Sequence, residues 1–144
     1  MVAPAAGDIA RPWYTEAHVQ TQLIGWLREH GYFRTQQIGA TPHIEVQPLV
    51  FRGAYDQELW IRVIGYPEHR ADAAADERFG TAIYGLVRDR TKNSAVSLAL
   101  ALPDGFPPYT AAVAATAWLQ RTMPFHIYWV AQSGTVRVEE SNRG

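Results

Sequence analysis

Two neighbouring segments of the chain carry polar side chains at the spacing of a β-strand face. In "HIEVQPLVF" (43–51) the alternation places His43 and Glu45 on one face, and in "ELWIRVIGY" (58–66) it places Arg62 and Ile64 together. Histidine and glutamate are both metal ligands, but two ligands without a third make a weak site. None of the chain's five histidines has a paired ligand spacing such as His-Glu-x-x-His. The residue types alone therefore predict no metal site.

A second candidate site is the basic cluster of Arg88, Arg90 and Lys92 near the end of a predicted helix. These side chains are the best candidates in the chain for contacts with the phosphates of a nucleic acid. A solvated helix end is the commoner meaning of such a pattern, because cations stabilise the C-terminal end of the helix dipole. The formal net charge of −1 adds no general attraction to nucleic acid or to an anionic membrane.

The composition excludes several classes of site. The 144 residues include no cysteine, which rules out disulfides, thiolate nucleophiles and cysteine–zinc sites. The sequence also contains no Gly-rich phosphate loop and no Gly-x-Ser-x-Gly elbow. We expect a flexible tail over 1–12 and a single domain over 13–144. Because the sequence has no signal-peptide pattern and no membrane-spanning run, a cytoplasmic protein is expected.

The elements that must position these side chains follow from the hydrophobic periodicity. A first helix is predicted from the N-cap Thr15 to Gly31. Three strands follow, two of them at 44–51 and 58–66, where Pro48 indicates a bulge or an edge position. The remaining predicted elements are a helix over about 73–91, a buried strand at 95–102, a single helix in "TAAVAATAWLQRT" and a final hairpin. The order α-β-β-β-α-β-α-β-β predicts an α/β three-layer sandwich with a mixed sheet.

That order resembles the restriction-endonuclease-like PD-(D/E)XK nuclease superfamily, over roughly residues 13–140. The chain is similar in particular to small bacterial nuclease-like proteins whose third strand reads Glu-Val-Lys-Gly-Tyr-Pro. The corresponding text here is "IRVIGYP". The apolar "AVSLALALPD" followed by "PPY", and "IYWVAQSGTV" near the end, fit the layout of the same group.

The resemblance implies a particular chemistry. In that superfamily a divalent metal ion, held by a second-strand acid and by the Glu of a Glu-x-Lys motif, supports hydrolysis of a phosphodiester bond, and the lysine orients the attacking water. The motif glutamate corresponds to Arg62 and the lysine to Ile64. The second-strand acid corresponds to Glu45, or to His43 if the register slips by two residues. A further glutamate on the first helix corresponds to Glu16.

The resemblance therefore implies that the metal site of the superfamily is not intact in this chain, because arginine offers only hydrogen-bond donors and isoleucine cannot orient water. No catalytic or metal-ligating residue is expected. Two interpretations of Arg62 remain open. In one, its guanidinium takes the electrostatic place of the metal ion and pairs with Glu45 and Glu16. In the other, Arg62 is a solvent-exposed strand arginine without a partner.

Three functions remain open. The leading one is a catalytically inactive PD-(D/E)XK-like domain that needs no cofactor and acts as a binding or accessory module for nucleic acid or for a protein partner. The second is a Mg²⁺-dependent DNA endonuclease with an atypical site built on Glu16, His43 and Glu45. The third is a structural subunit of a homodimer. The resemblance suggests a bacterial role in DNA metabolism, without a membrane partner.

Overall fold

A six-stranded mixed sheet forms the centre of the fold. The computed structural model describes residues 12–35, 47–69 and 71–140, so the expected tail lies, apart from Pro12, outside the described residues. The strands lie side by side in chain order. The second strand is antiparallel to both the first and the third, the third, fourth and fifth are parallel to one another, and the sixth returns antiparallel. They are β1 (Phe33–Arg34), β2 (Leu49–Arg52), β3 (Glu58–Val63), β4 (Ser97–Pro103), β5 (His126–Val130) and β6 (Val136–Glu139).

Helices cover both faces of this sheet. They are α1 (Glu16–Glu29), α2 (Ala71–Lys92), α3 (Pro107–Ala115) and α4 (Ala117–Thr122). The first helix packs on one face, while α2 and α3 pack on the other. The predicted α/β three-layer sandwich with a mixed sheet is confirmed, and so is the antiparallel pairing of β2 with β3. Within the described part of the chain, no helix has the length and apolar character needed to cross a bilayer.

The first helix begins and ends where its sequence predicts. The hydroxyl of Thr15 accepts a hydrogen bond from the backbone N–H of His18 at 3.2 Å, which caps the N-terminus. At the other end Gly31 adopts a φ of 86°, a left-handed conformation that glycine adopts without strain. Three fully buried residues, Val19, Leu23 and Leu27, form the stripe that packs on the sheet.

The strand β4 is buried on both faces, and its residue types divide the core in two. The small residues Ala99 and Ala101 face α1, whereas Leu98, Leu100 and Leu102 face the helices of the opposite layer. All five are at most 1% exposed. This strand lies between two parallel neighbours, where a continuous apolar sequence is expected.

The prediction of a single helix in "TAAVAATAWLQRT" is wrong at two points. The helix α3 begins earlier, at Pro107 and Pro108, because proline is tolerated in the first turn of a helix, where its missing N–H has no intrahelical partner. The helical run also breaks at Thr116, which separates α3 from α4. The hydroxyl of Thr116 donates to the carbonyl oxygens of Ala112 and Val113, at 3.1 and 3.0 Å. Such side-chain bonds to the preceding turn compete with continuation of the helix.

The Gly65-Tyr66-Pro67 turn after β3 is held between the two helical layers. The backbone N–H of Tyr66 donates to the carbonyl of Tyr14 at 2.9 Å, and the hydroxyl of Tyr109 donates to the carbonyl of Gly65 at 2.6 Å. The ring of Tyr66 stacks on Phe106 with the ring centres 4.0 Å apart. Burial raises the pKa of Tyr109 to about 12, because the charged phenolate would lose its hydration inside the protein.

We predict that the free energy of unfolding falls as pH rises from about 10 towards 12, and that Tyr109→Phe makes this fall less steep. An unfolded tyrosine ionises near pH 10 while the folded Tyr109 keeps its proton, so each such residue costs up to ~1.4 kcal/mol per pH unit in this window. Tyr128, whose pKa burial also raises to about 12, should leave a residual slope. Urea unfolding at about pH 9 and about pH 11 measures the difference.

The control for this measurement is Tyr55→Phe, because Tyr55 is 91% exposed and its removal should leave the slope unchanged. Below pH 10 the Tyr109→Phe variant should be less stable by ~1 kcal/mol, the contribution of one hydrogen bond. An identical pH dependence in wild type and Tyr109→Phe would contradict the assigned burial of this hydroxyl.

Candidate functional site

A cleft of about 1040 Å³ opens beside the end of β3, and its lining includes Arg62 and Ile64. Its walls come from the first turns of α1, from residues 61–69 and from the first half of α2. The turn and α1 meet closely at Gly65, because a Cβ atom at this position would collide with the backbone of Thr15 and Glu16. The end of β3 therefore forms the floor of a cleft whose geometry is fixed by the turn.

The guanidinium of Arg62 forms a two-pronged ion pair with Asp89 of α2. The Nε atom donates to Oδ2 at 2.8 Å, and Nη2 donates to Oδ1 at 2.7 Å. The side chain of Arg62 is 11% exposed and that of Asp89 is fully buried. Paired N–H donors that match both oxygens of a carboxylate give the strongest geometry for an arginine–carboxylate contact. The cation at the expected catalytic position is therefore bound into the protein interior.

A glycine on α2 makes room for this ion pair. A Cβ atom at Gly85 would lie 2.6 Å from Nε and 2.7 Å from Cζ of Arg62, closer than atoms can approach without a shift. Gly85 lies four residues before Asp89, so the two positions follow one another on the same helix face. The side chain of Arg62 thus crosses the helix at Gly85 to reach Asp89.

The interpretation of Arg62 as an exposed arginine without a partner is wrong, because its side chain is mostly buried and bound to Asp89. The partner was missed because nothing adjacent in sequence connects β3 to position 89. A signal exists in the spacing of the buried face of α2, which runs through Ala75, Phe79, Ala82 and Leu86. Asp89 lies at the next position of this stripe, where another apolar residue is expected. A carboxylate buried at this position requires a partner.

The other expected site positions fall in different surroundings. Ile64 is buried in the core cluster on the α2 side, which agrees with an aliphatic replacement for the lysine. Glu16 is exposed at the start of α1 and lines the cleft. His43 and Glu45 lie outside the described residues, so the pairing of Arg62 with Glu45 stays a prediction.

The register of β2 qualifies that prediction. Val50 lies opposite Trp60 and Leu49 opposite Ile61, so the even-numbered residues of β2 share a face with Arg62. The odd-numbered residues of β2 instead face α1 with Leu49. Glu45 and Arg62 can therefore share a face of the sheet only if the in-and-out alternation of side chains shifts by one residue before Leu49. The sequence predicts a bulge or an edge position at Pro48, and a β-bulge produces such a shift.

The three residues of the basic cluster have different environments. The Nη1 atom of Arg90 donates to the carbonyl oxygens of Asn93, Ser94 and Val96, at 3.3, 2.9 and 2.9 Å. These bonds fix the loop that leads from α2 into β4. The guanidinium of Arg88 lies 5.9 Å from the centre of the Tyr84 ring, and Lys92 is exposed at the last residue of α2. Nucleic-acid binding by this cluster stays a prediction.

Among the described residues, no three histidine, aspartate or glutamate side chains converge in a geometry that could hold a metal ion. The expected second-strand acid and the alternative histidine ligand both lie in the undescribed segment 36–46. The described residues of the cleft supply Glu16 as the one expected carboxylate. The described lining combines charged side chains with apolar ones.

Comparison with known proteins identifies similar folds but no family. No protein-family model matches the chain, and no curated protein matches it. An FdxN element excision controlling factor protein from Anabaena variabilis superposes with a TM-score of 0.59 at 12% identity, over 86% of this chain and 98% of that one. An XisH family protein from Nostoc punctiforme gives 0.55 at 14% identity, over 86% and 99%. At these identities the similarity shows the fold alone.

We predict that Gly85→Ala destabilises the protein by ~1–3 kcal/mol, because the added methyl group displaces the Arg62 side chain from its ion pair. The matched control is Gly80→Ala on the same helix, where an added Cβ meets no atom within 4 Å. This control should gain up to ~1 kcal/mol, since alanine favours a helix over glycine. Urea unfolding of both variants measures the two signs, and equal stabilisation by both substitutions would contradict the close approach of Arg62.

Proposed function

We propose that this domain is a nuclease fold of the PD-(D/E)XK type that lacks catalysis and serves as an accessory binding module. The observation that carries the proposal is the buried ion pair between Arg62 and Asp89. At the position where the resemblance expects a metal-binding glutamate, the chain has a cation with a structural partner. Where it expects the lysine, Ile64 is part of the core.

The electrostatics of the site argue against metal-assisted hydrolysis. A divalent ion next to β3 would lie near the positive charge of Arg62, and both oxygens of Asp89 already accept hydrogen bonds from that guanidinium. Binding a metal ion to Asp89 would require breaking a buried ion pair, which leaves the arginine without its counter-charge. Without a metal ion, Arg62, Asp89 and Ile64 would supply no group that generates hydroxide from water at neutral pH.

The similar folds agree with an accessory role. One of them is named as a factor that controls the excision of the FdxN element. We extend this to the present chain as a role in a complex that acts on DNA, in which another component performs the cleavage. The cleft beside β3, about 1040 Å³ in volume, supplies a surface large enough for such a partner to contact.

We predict that the purified protein, incubated with Mg²⁺ or Mn²⁺, does not cleave supercoiled or single-stranded DNA above a matched buffer control. The reason is that Arg62 and Ile64 supply neither a metal ligand nor a group that orients water. Agarose gels of time courses, with and without EDTA, provide the measurement.

One specific pattern of DNA cleavage would contradict the proposal. Cleavage that requires the metal ion, and that disappears in Glu45→Ala, would overturn the proposal and favour the endonuclease built on Glu16, His43 and Glu45. Cleavage that persists in Glu45→Ala at the same rate per milligram indicates a contaminating nuclease, so both proteins are purified in parallel and fractions across the elution peak are assayed.

A further inference from the structure

The charged side chains that line the cleft are mainly acidic. Among its described residues, three carboxylates contribute to the lining: Glu16, Glu68 and Glu77. The lining also includes Arg62, but Asp89 neutralises the charge of this arginine. The other arginine among the described residues of the lining is Arg78. Glu16, Glu68, Glu77 and Arg78 are all exposed, so their charges act on whatever enters the cleft.

The negative potential extends over the rim beside the Gly-Tyr-Pro turn. Tyr66 lines the cleft, and its pKa is raised first by burial and then by the negative charges of Asp72 and Asp76. Both aspartates are exposed in the first turns of α2. Acidic residues suit the N-terminal end of a helix, but here they also stand beside the cleft.

The acidic side chains of the cleft favour a protein partner over a nucleic acid for the proposed accessory module. A nucleic acid would bring phosphates against several carboxylates, and like charges brought together at an interface disfavour a partner. A basic protein segment brings the opposite charge. Its lysine and arginine side chains also have apolar stems, which the partly exposed apolar residues of the lining, Leu49 and Val63, can cover.

The size of the cleft agrees with a peptide. Small-molecule pockets have volumes of roughly 300–1,000 Å³, and this cleft, at about 1040 Å³, lies just above that range. A single metal ion or a small amine would leave most of it empty. A chain segment carrying several basic side chains would fill it and could reach Glu77 on one wall and Glu16 on the other.

We propose that this cleft binds a basic segment of a protein partner and does not bind nucleic acid. The inference rests on the proposed function, in which the cleft is a binding surface without catalysis. The carboxylates of α1 and α2 contact the cationic side chains, while the floor at the end of β3 contacts their apolar stems.

The test uses the full chain and a fluorescein-labelled Arg-Gly repeat peptide, with a labelled duplex oligonucleotide as the comparison. Fluorescence anisotropy should show saturable binding of the peptide and none of the duplex at the same protein concentrations. The cleft variant Glu68→Gln/Glu77→Gln should weaken peptide binding roughly tenfold. The control variant Glu29→Gln/Glu139→Gln removes the same charge from exposed residues outside the cleft lining and should bind as wild type does.

A second readout locates the peptide directly. Amide chemical shifts should change at Gln20, Gly65 and Thr81, which line the cleft, and stay unchanged at Asp56 in the distant hairpin turn. The proposal is overturned if the peptide does not bind, if both double variants weaken it equally, or if the duplex competes for the same residues. None of these three results involves DNA cleavage. A failure of the peptide-binding proposal can therefore be distinguished from a failure of the proposed function, which the metal-dependent cleavage assay tests.

Discussion

The buried ion pair between Arg62 and Asp89 is the interaction on which the arrangement of this site depends. Two charges inside a protein cost a large desolvation energy unless their geometry and hydrogen bonds are complete. Here the two N–H donors of one fork meet both oxygens of one carboxylate, at 2.8 and 2.7 Å. The pair therefore fixes the rotation of α2 relative to β3. The wall of the cleft that carries Glu77 and Thr81 is positioned by the same constraint.

The segment "IRVIGYP" contains the Gly-Tyr-Pro turn and, before it, the two positions at which the nuclease-like pattern has its motif glutamate and lysine. The Gly-Tyr-Pro part is retained relative to the nuclease-like pattern, and the structure gives it a mechanical role. Gly65 permits the close approach of α1, its carbonyl accepts the hydroxyl of Tyr109, and Tyr66 stacks on Phe106. At positions 62 and 64, where that pattern has glutamate and lysine, the chain instead has a partner of an internal ion pair and a core residue.

Most of the fold could be predicted because the sequence signals for each helix and strand lie within that helix or strand. The cap at Thr15, the apolar stripe of α1 and the doubly buried β4 each follow from periodicity and from one or two capping residues. The break between α3 and α4 was not predicted, since it depends on hydrogen bonds from a single hydroxyl at Thr116. Alanine-rich sequence favours a continuous helix on propensity alone.

The site was predicted less completely, because its decisive contact joins positions 27 residues apart in the chain. Periodicity identified the face of Arg62 but not the acid on α2 that meets it. The sequence of α2 does contain a signal, because Asp89 interrupts its apolar stripe one turn after a glycine. That combination predicts a buried charge and the space for its partner, although it does not identify which strand residue supplies the partner.

A double-mutant cycle on Arg62 and Asp89, measured by urea unfolding, tests the central claim most directly. Arg62→Met and Asp89→Asn each remove one charge while keeping most of the side-chain shape, so each single variant breaks the buried pair and should lose ~3–5 kcal/mol. The double variant contains neither charge and should be no less stable than either single variant, which corresponds to a coupling energy of at least ~3 kcal/mol. Strictly additive losses would show that the two side chains do not interact, and would contradict the account of Arg62 as an internal counter-charge.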